Sequence, residues 1–68
     1  MSEKVYKKIR VVGCSDESYE KAIAIAVQKA SESLHGMSWF EVTELRGAIQ
    51  EGQPVEWQVA LDVAFKVD

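Results

Sequence analysis

The sequence predicts an α+β fold of strand–helix–strand–strand order, with a three-stranded antiparallel sheet packed on one helix. Three observations carry that expectation. From Val55 to Asp68, apolar residues alternate with polar or small ones, the period of a strand with one greasy face. A second extended run, Trp39 to Arg46, is joined to it through the turn cluster Gln50-Glu51-Gly52-Gln53-Pro54. Between Tyr19 and Leu34, apolar residues recur at helical spacing.

The first strand is expected from Val5 to Val12. Val5, Ile9 and Val11 share one face; Tyr6, Lys8, Arg10 and Val12 share the other. Gly13 is expected to end it. Lys7, Lys8 and Arg10 fit either a solvated edge guarded against aggregation or charge pairing at a subunit contact. Ser15-Asp16-Glu17-Ser18 then opens the helix, with Ser15 or Asp16 as the cap and Glu17 in the first turn. Tyr19, Ala22, Ile23, Ala26, Val27, Ala30 and Leu34 form one stripe. Ile25 lies off it and is a candidate subunit contact. Gly36 is expected as the residue just past the helix end, with His35 near the negative terminus.

The hairpin register follows from its turn. With Glu51-Gly52 as a two-residue turn, Gln50 faces Gln53, Val42 faces Leu61 and Phe40 faces Val63. The apolar residues of both strands then share one face, which a slip of one residue would destroy. The other face pairs Trp39 with Ala64, Glu41 with Asp62, Thr43 with Ala60 and Leu45 with Gln58. The Glu41–Asp62 pair needs a cation, which Lys8 or Arg10 supplies if the first strand lies alongside. A helical crossover makes the first two strands parallel, and the simplest sheet puts the third strand between them. Pro54 stands at the start of that strand, where a missing N–H is tolerated.

At 68 residues the chain is one domain, residues 1–68. Such a chain buries only about 60% of its unfolded surface, and disulfides, metals or partners usually supplement it. One cysteine excludes an internal disulfide, and one histidine with one cysteine gives no zinc-site spacing. Oligomerisation is the remaining source of burial. No export signal is read in Met1-Ser2-Glu3-Lys4, and no apolar run approaches the roughly 20 residues of a membrane span. With a free thiol, these features lead us to expect a cytoplasmic protein. The net charge of −3 argues against a nucleic-acid binder, although Lys4, Lys7, Lys8 and Arg10 cluster.

Residues able to carry chemistry are few. Cys14 precedes a helix N-terminus, but His35 sits roughly 30 Å away at the other end, too far for a dyad within one chain. A passive thiol is the preferred reading. Glu41, Glu44 and Asp62 could form an acid/base pair or hold a hard cation, but pairing with Lys8 or Arg10 is the simpler account. Trp57 shares the apolar face with Val55 and Val59 and reads as core. Trp39 lies on the opposite face. It either fills an oligomer interface or stacks on something flat, a contact worth about 1–3 kcal/mol per nucleobase ring.

Three segments carry a family resemblance: Val5-Tyr6-Lys7-Lys8-Ile9 with Val12-Gly13-Cys14-Ser15-Asp16-Glu17-Ser18, then Ser38-Trp39-Phe40-Glu41-Val42, then Trp57-Gln58-Val59-Ala60-Leu61-Asp62-Val63-Ala64-Phe65. In order and spacing the chain resembles the dodecins, small flavin-binding proteins that assemble as hollow homododecamers. The resemblance covers nearly the whole chain. It implies that Trp39 stacks on the isoalloxazine ring and that Gln58 hydrogen-bonds its polar edge. Arg46 and Lys66 fall where bacterial dodecins carry basic residues for the FMN phosphate. Lys66 replaces the commoner arginine and so offers a point charge rather than a bidentate fork. The bacterial character favours FMN, with riboflavin as an alternative ligand; coenzyme A, bound by some bacterial members, is not assigned. The family pocket holds two flavins between symmetry-related tryptophans, and its role is storage and photoprotective quenching rather than turnover. The implied partners are further copies of the chain and the flavin, with no nucleic acid and no membrane. The competing classes are a protein or nucleic-acid interaction module acting through Lys4, Lys7, Lys8 and Arg10, a small enzyme using Cys14 or a sheet carboxylate, and a purely structural shell.

Overall fold

A computed structural model describes residues 3–68; Met1 and Ser2, which open the stretch read as lacking an export signal, lie outside them. The elements are β1 (Tyr6–Ser15), α1 (Tyr19–Ser31), β2 (Met37–Gln50) and β3 (Gln53–Lys66). They form one three-stranded sheet in the order β1-β3-β2, with β3 antiparallel to both neighbours. The predicted class and strand order are therefore observed. Among the described residues no helix is long and apolar enough to cross a membrane.

The β2–β3 turn is the expected one. Glu51 and Gly52 both take positive φ, 52° and 76°, as a two-residue hairpin turn of matching twist requires. Gln50 then faces Gln53. Along the hairpin the register shifts at three places. Phe40 faces Val63 and Val42 faces Leu61, as expected, but Thr43 is an extra residue on β2. Glu44 rather than Thr43 faces Ala60, and Arg46 rather than Leu45 faces Gln58. A second irregularity leaves Val55 unpaired on β3 and restores the register before the turn. The bulge moves Leu45 to the apolar face opposite Val59, and it keeps Arg46 on the other face. The Thr43 hydroxyl donates to the Ala60 carbonyl at 3.1 Å, tying the bulge to β3.

β1 runs past its predicted end, through Gly13 to Ser15. Gly13 is no terminator; it is where the helix lies closest. A Cβ there would sit 2.2 Å from the Ala22 carbonyl oxygen and 2.8 Å from the Ala26 Cβ. The helix presents the buried ridge Ala22, Ala26 and Ala30 to Val59, Leu61 and Val63. Small residues on one side let the two backbones approach, and the branched ones on β3 fill the gap. Val11, Tyr19, Ile23, Val27, Leu34 and Met37 close the margins.

The helix ends also differ from expectation. Ser18, not Ser15 or Asp16, is the N-cap: its hydroxyl accepts from the Lys21 N–H at 3.0 Å. Ser15 acts one turn earlier, accepting from the Glu17 N–H at 2.9 Å, so Glu17 precedes the helix and Glu20 is its first-turn acid. The C-cap is Glu32, and Gly36, at φ 73°, belongs to the approach to β2 rather than to the helix end. Its carbonyl accepts from the Lys66 N–H at 3.2 Å. The run Ser31-Glu32-Ser33 lacks apolar anchors, and the Ser31 hydroxyl donates to the Gln28 carbonyl at 2.6 Å, so the helix gives out early. His35 accordingly stands in the connection beyond it.

Candidate functional site

α1 covers one face of the sheet. Among the described residues no element covers the opposite face, and the site residues lie there. Strand alternation puts Tyr6, Lys8, Arg10, Val12 and Cys14 of β1 on that face, opposite Lys66, Ala64, Asp62, Ala60 and Gln58 of β3. From β2 it receives Trp39, Glu41, Glu44 and Arg46.

Trp39 lies at one end, opposite Ala64, and is 43% exposed. It is not tucked under its own helix. Its ring meets Tyr6 at 4.8 Å between centroids, tilted by 53°. Its indole N–H donates to Glu41 Oε2 at 2.8 Å. Glu41 in turn accepts from Lys8 Nζ at 3.1 Å, a contact that reaches across β3 from one edge strand to the other. The cation that Glu41 and Asp62 need thus comes from β1, as expected. Arg10 donates to both oxygens of Asp62, at 2.7 and 3.3 Å, and Lys8 stands 3.9 Å from the same group.

These contacts set the local charge. Asp62 is 8% exposed, and the Arg10 hydrogen bond holds its carboxyl below the usual carboxylate range despite the burial. The Trp39 N–H and then Lys8 do the same for Glu41. Arg10 is shifted upward by Asp62, which keeps it charged under all ordinary conditions.

Gln58 and Arg46 occupy the other end of the face. Arg46 Nε donates to Gln58 Oε1 at 2.8 Å, and Gln58 Nε2 donates to Glu56 Oε1 at 2.7 Å. Arg46 also pairs with Glu44. Lys66 is at the Trp39 end, opposite Tyr6. The four predicted residues therefore form two clusters, Trp39 with Lys66 and Gln58 with Arg46. Six residues of β3 separate Ala64 from Gln58, about 20 Å at roughly 3.4 Å per residue.

Two participants were missed from the sequence, Tyr6 and Glu41 as partners of the indole. The signal was present: Glu41 is two residues from Trp39 on the same face, and Tyr6 heads the outer face of β1. Trp57 packs edge-on against Tyr19 at 5.3 Å on the helix side, but it is only half-buried and lies outside the core it was expected to join. Cys14 is exposed, opposite Gln58. Among the described residues no three histidines, cysteines or acids gather to hold a metal.

The comparisons with known proteins bear on the whole chain. The dodecin family model matches residues 5–68. A dodecin of Thermus thermophilus is 46% identical over 65 residues, covering 96% of this chain and 94% of its own length. A Mycobacterium tuberculosis protein described as calcium dodecin is 35% identical over 63 residues, covering 93% of this chain and 89% of its own. The solved dodecin of Streptomyces coelicolor superposes with a TM-score of 0.93 at 41% identity, over 100% of this chain and 97% of that one. A fold and a sequence that agree over essentially the full length leave one conclusion: the chain belongs to the dodecin family.

Proposed function

We propose that this protein binds a flavin, FMN in the first instance, and stores and photoprotects it within a homo-oligomeric shell of twelve copies. The observation that carries the reading is the exposed, oriented Trp39 on the sheet face that no element covers among the described residues. An indole with small Ala64 beside it offers a flat apolar platform, the surface that a heteroaromatic ring requires. The residues fit such a ligand: one stacking ring, one amide for a polar edge, and two basic groups for a phosphate.

The spacing within one chain adds a requirement. An isoalloxazine ring is much shorter than the roughly 20 Å between the Trp39 and Gln58 ends. One protomer supplies each pocket with its stacking end, and another supplies the amide. Assembly is then part of the site and not only a source of stability. In that setting Arg46 and Lys66 provide positive charge for the phosphate, Arg46 after exchanging its Glu44 contact.

When bound, the flavin supplies a light-absorbing, electron-accepting ring. Trp39 stacked on it would lend an electron to the excited ring and take it back on recombination, so that the pair returns to its ground state without emission and without net oxidation or reduction. The function assigned is binding, carried by the stacking platform rather than by any reacting group. The basic cluster also loses force as a nucleic-acid site, because Lys8 and Arg10 are engaged by Glu41 and Asp62.

The test is a titration of FMN with the purified protein, following flavin fluorescence. The wild type is expected to quench it, and Trp39→Ala to lose most of the quenching and weaken binding by at least tenfold, about 1.4 kcal/mol. Unquenched flavin with the wild-type chain rejects the proposal.

A further inference from the structure

Trp39 is on an edge strand, on an uncovered face, where an indole would ordinarily sample several rotamers. It does not stand free. Its N–H is taken by Glu41 Oε2 at 2.8 Å, and Tyr6 closes one side of the ring at 4.8 Å. Glu41 is held at its other oxygen by Lys8 Nζ at 3.1 Å. Lys8 reaches Asp62, which Arg10 grips at both oxygens. A chain of charge-assisted bonds therefore runs from β1 across β3 to the indole on β2.

We propose that Glu41 is a positioning residue for the ligand platform: its carboxylate fixes the Trp39 ring plane and takes up its only hydrogen-bond donor. This role rests on the flavin-binding reading above. The physical consequence is preorganisation. A ring already in its stacking orientation loses little rotamer freedom on binding. With its N–H occupied, the indole recognises a ligand by its π-face alone. Every charged group that faces Glu41 belongs to the same chain of contacts. Lys8 from β1 and Asp62 from β3 flank it. The lowered pKa of Glu41 keeps the carboxylate in place through mildly acidic solution.

The experiment uses the full-length chain as wild type, Glu41→Ala and Glu41→Gln, each in a Trp57→Phe background so that Trp39 is the only indole. Ultraviolet resonance Raman reads the indole N–H hydrogen bond, FMN titration reads affinity, and light scattering reads particle size. Glu41→Ala is expected to lose the hydrogen-bonded Raman signature and to bind FMN about tenfold more weakly. Glu41→Gln keeps a neutral acceptor and should recover part of both. If Glu41→Ala fails to assemble, the near-isosteric Glu41→Gln still decides, because its Raman band must move toward that of a weaker bond. An unchanged band in both variants, or unchanged FMN affinity with the band lost, overturns the role of Glu41. Failure of the wild-type chain to bind FMN instead rejects the flavin reading itself and this role with it.

Discussion

At the scale of single residues, the uncovered face owes its order to charge pairing. Asp62 and Glu41 face each other on adjacent strands, a repulsive pair without Lys8 and Arg10. Each carboxylate has a folded-state pKa below its ordinary value, so each contributes stability that is fully present above about pH 5. That stability is lost as the pH falls below about 4 and through the lowered folded values. Asp62→Asn should therefore be less stable than the wild type at pH 7, with a difference that shrinks toward zero as the pH drops below about 4. Urea unfolding followed by circular dichroism at fixed protomer concentration checks this, and a difference independent of pH would contradict it. Arg10 keeps its charge throughout, so the effect is assigned to the acids.

At the scale of elements, helix and sheet are held together by a close approach more than by large side chains. Ala22, Ala26 and Ala30 form the contacting ridge, and Gly13 is the point where β1 passes beneath it. The nearest obstacle to a side chain at Gly13 is the Ala22 carbonyl, a backbone atom that cannot rotate away. Gly13→Ala should therefore cost about 3 kcal/mol through displacement of the helix, at the upper end for overpacking. A fall in denaturation midpoint with unchanged slope is the expected record; a midpoint equal to that of the wild type would show that the helix moves freely. The bulge at Thr43 is the second device at this scale. It shifts the phase of β2, so that Leu45 joins the apolar face and Arg46 meets Gln58. The change of phase was legible as a mismatch, since Phe40 and Val42 fall on even positions and Leu45 on an odd one. An unbroken ladder read through that mismatch put Leu45 where Arg46 stands.

At the scale of the whole molecule, a single copy is more open than a domain of this size should be. The radius of gyration is 14.2 Å, against about 11 Å for a compact chain of this length. The extents of 55 × 20 × 14 Å reflect a hairpin that projects beyond the helix. The accessible surface of 5020 Å² exceeds the roughly 4,300 Å² of a typical monomer of 7.6 kDa. Phe40, Val42 and Leu45, on the apolar face of β2, remain exposed because the helix lies over β1 and β3. An apolar row of this kind marks an interaction surface. Leu45→Glu is accordingly expected to yield a particle much smaller than that of the wild type by light scattering. A particle of undiminished size would place the subunit contacts elsewhere.

By itself, the order of residues determined the element sequence, the place of β3 between its neighbours, the hairpin turn and the face on which Trp39 lies. Those features follow from periodicity and turn chemistry, which are local and readable one segment at a time. Tertiary structure alone decided the rest: the point at which the ladder to β3 resumes after the bulge and sets Arg46 against Gln58, the reach of Lys8 from β1 to Glu41, and the need for glycine beneath the helix. Each depends on the distance between segments remote in sequence, and steric fit and hydrogen-bond geometry at that distance leave no mark in the pattern of any one strand.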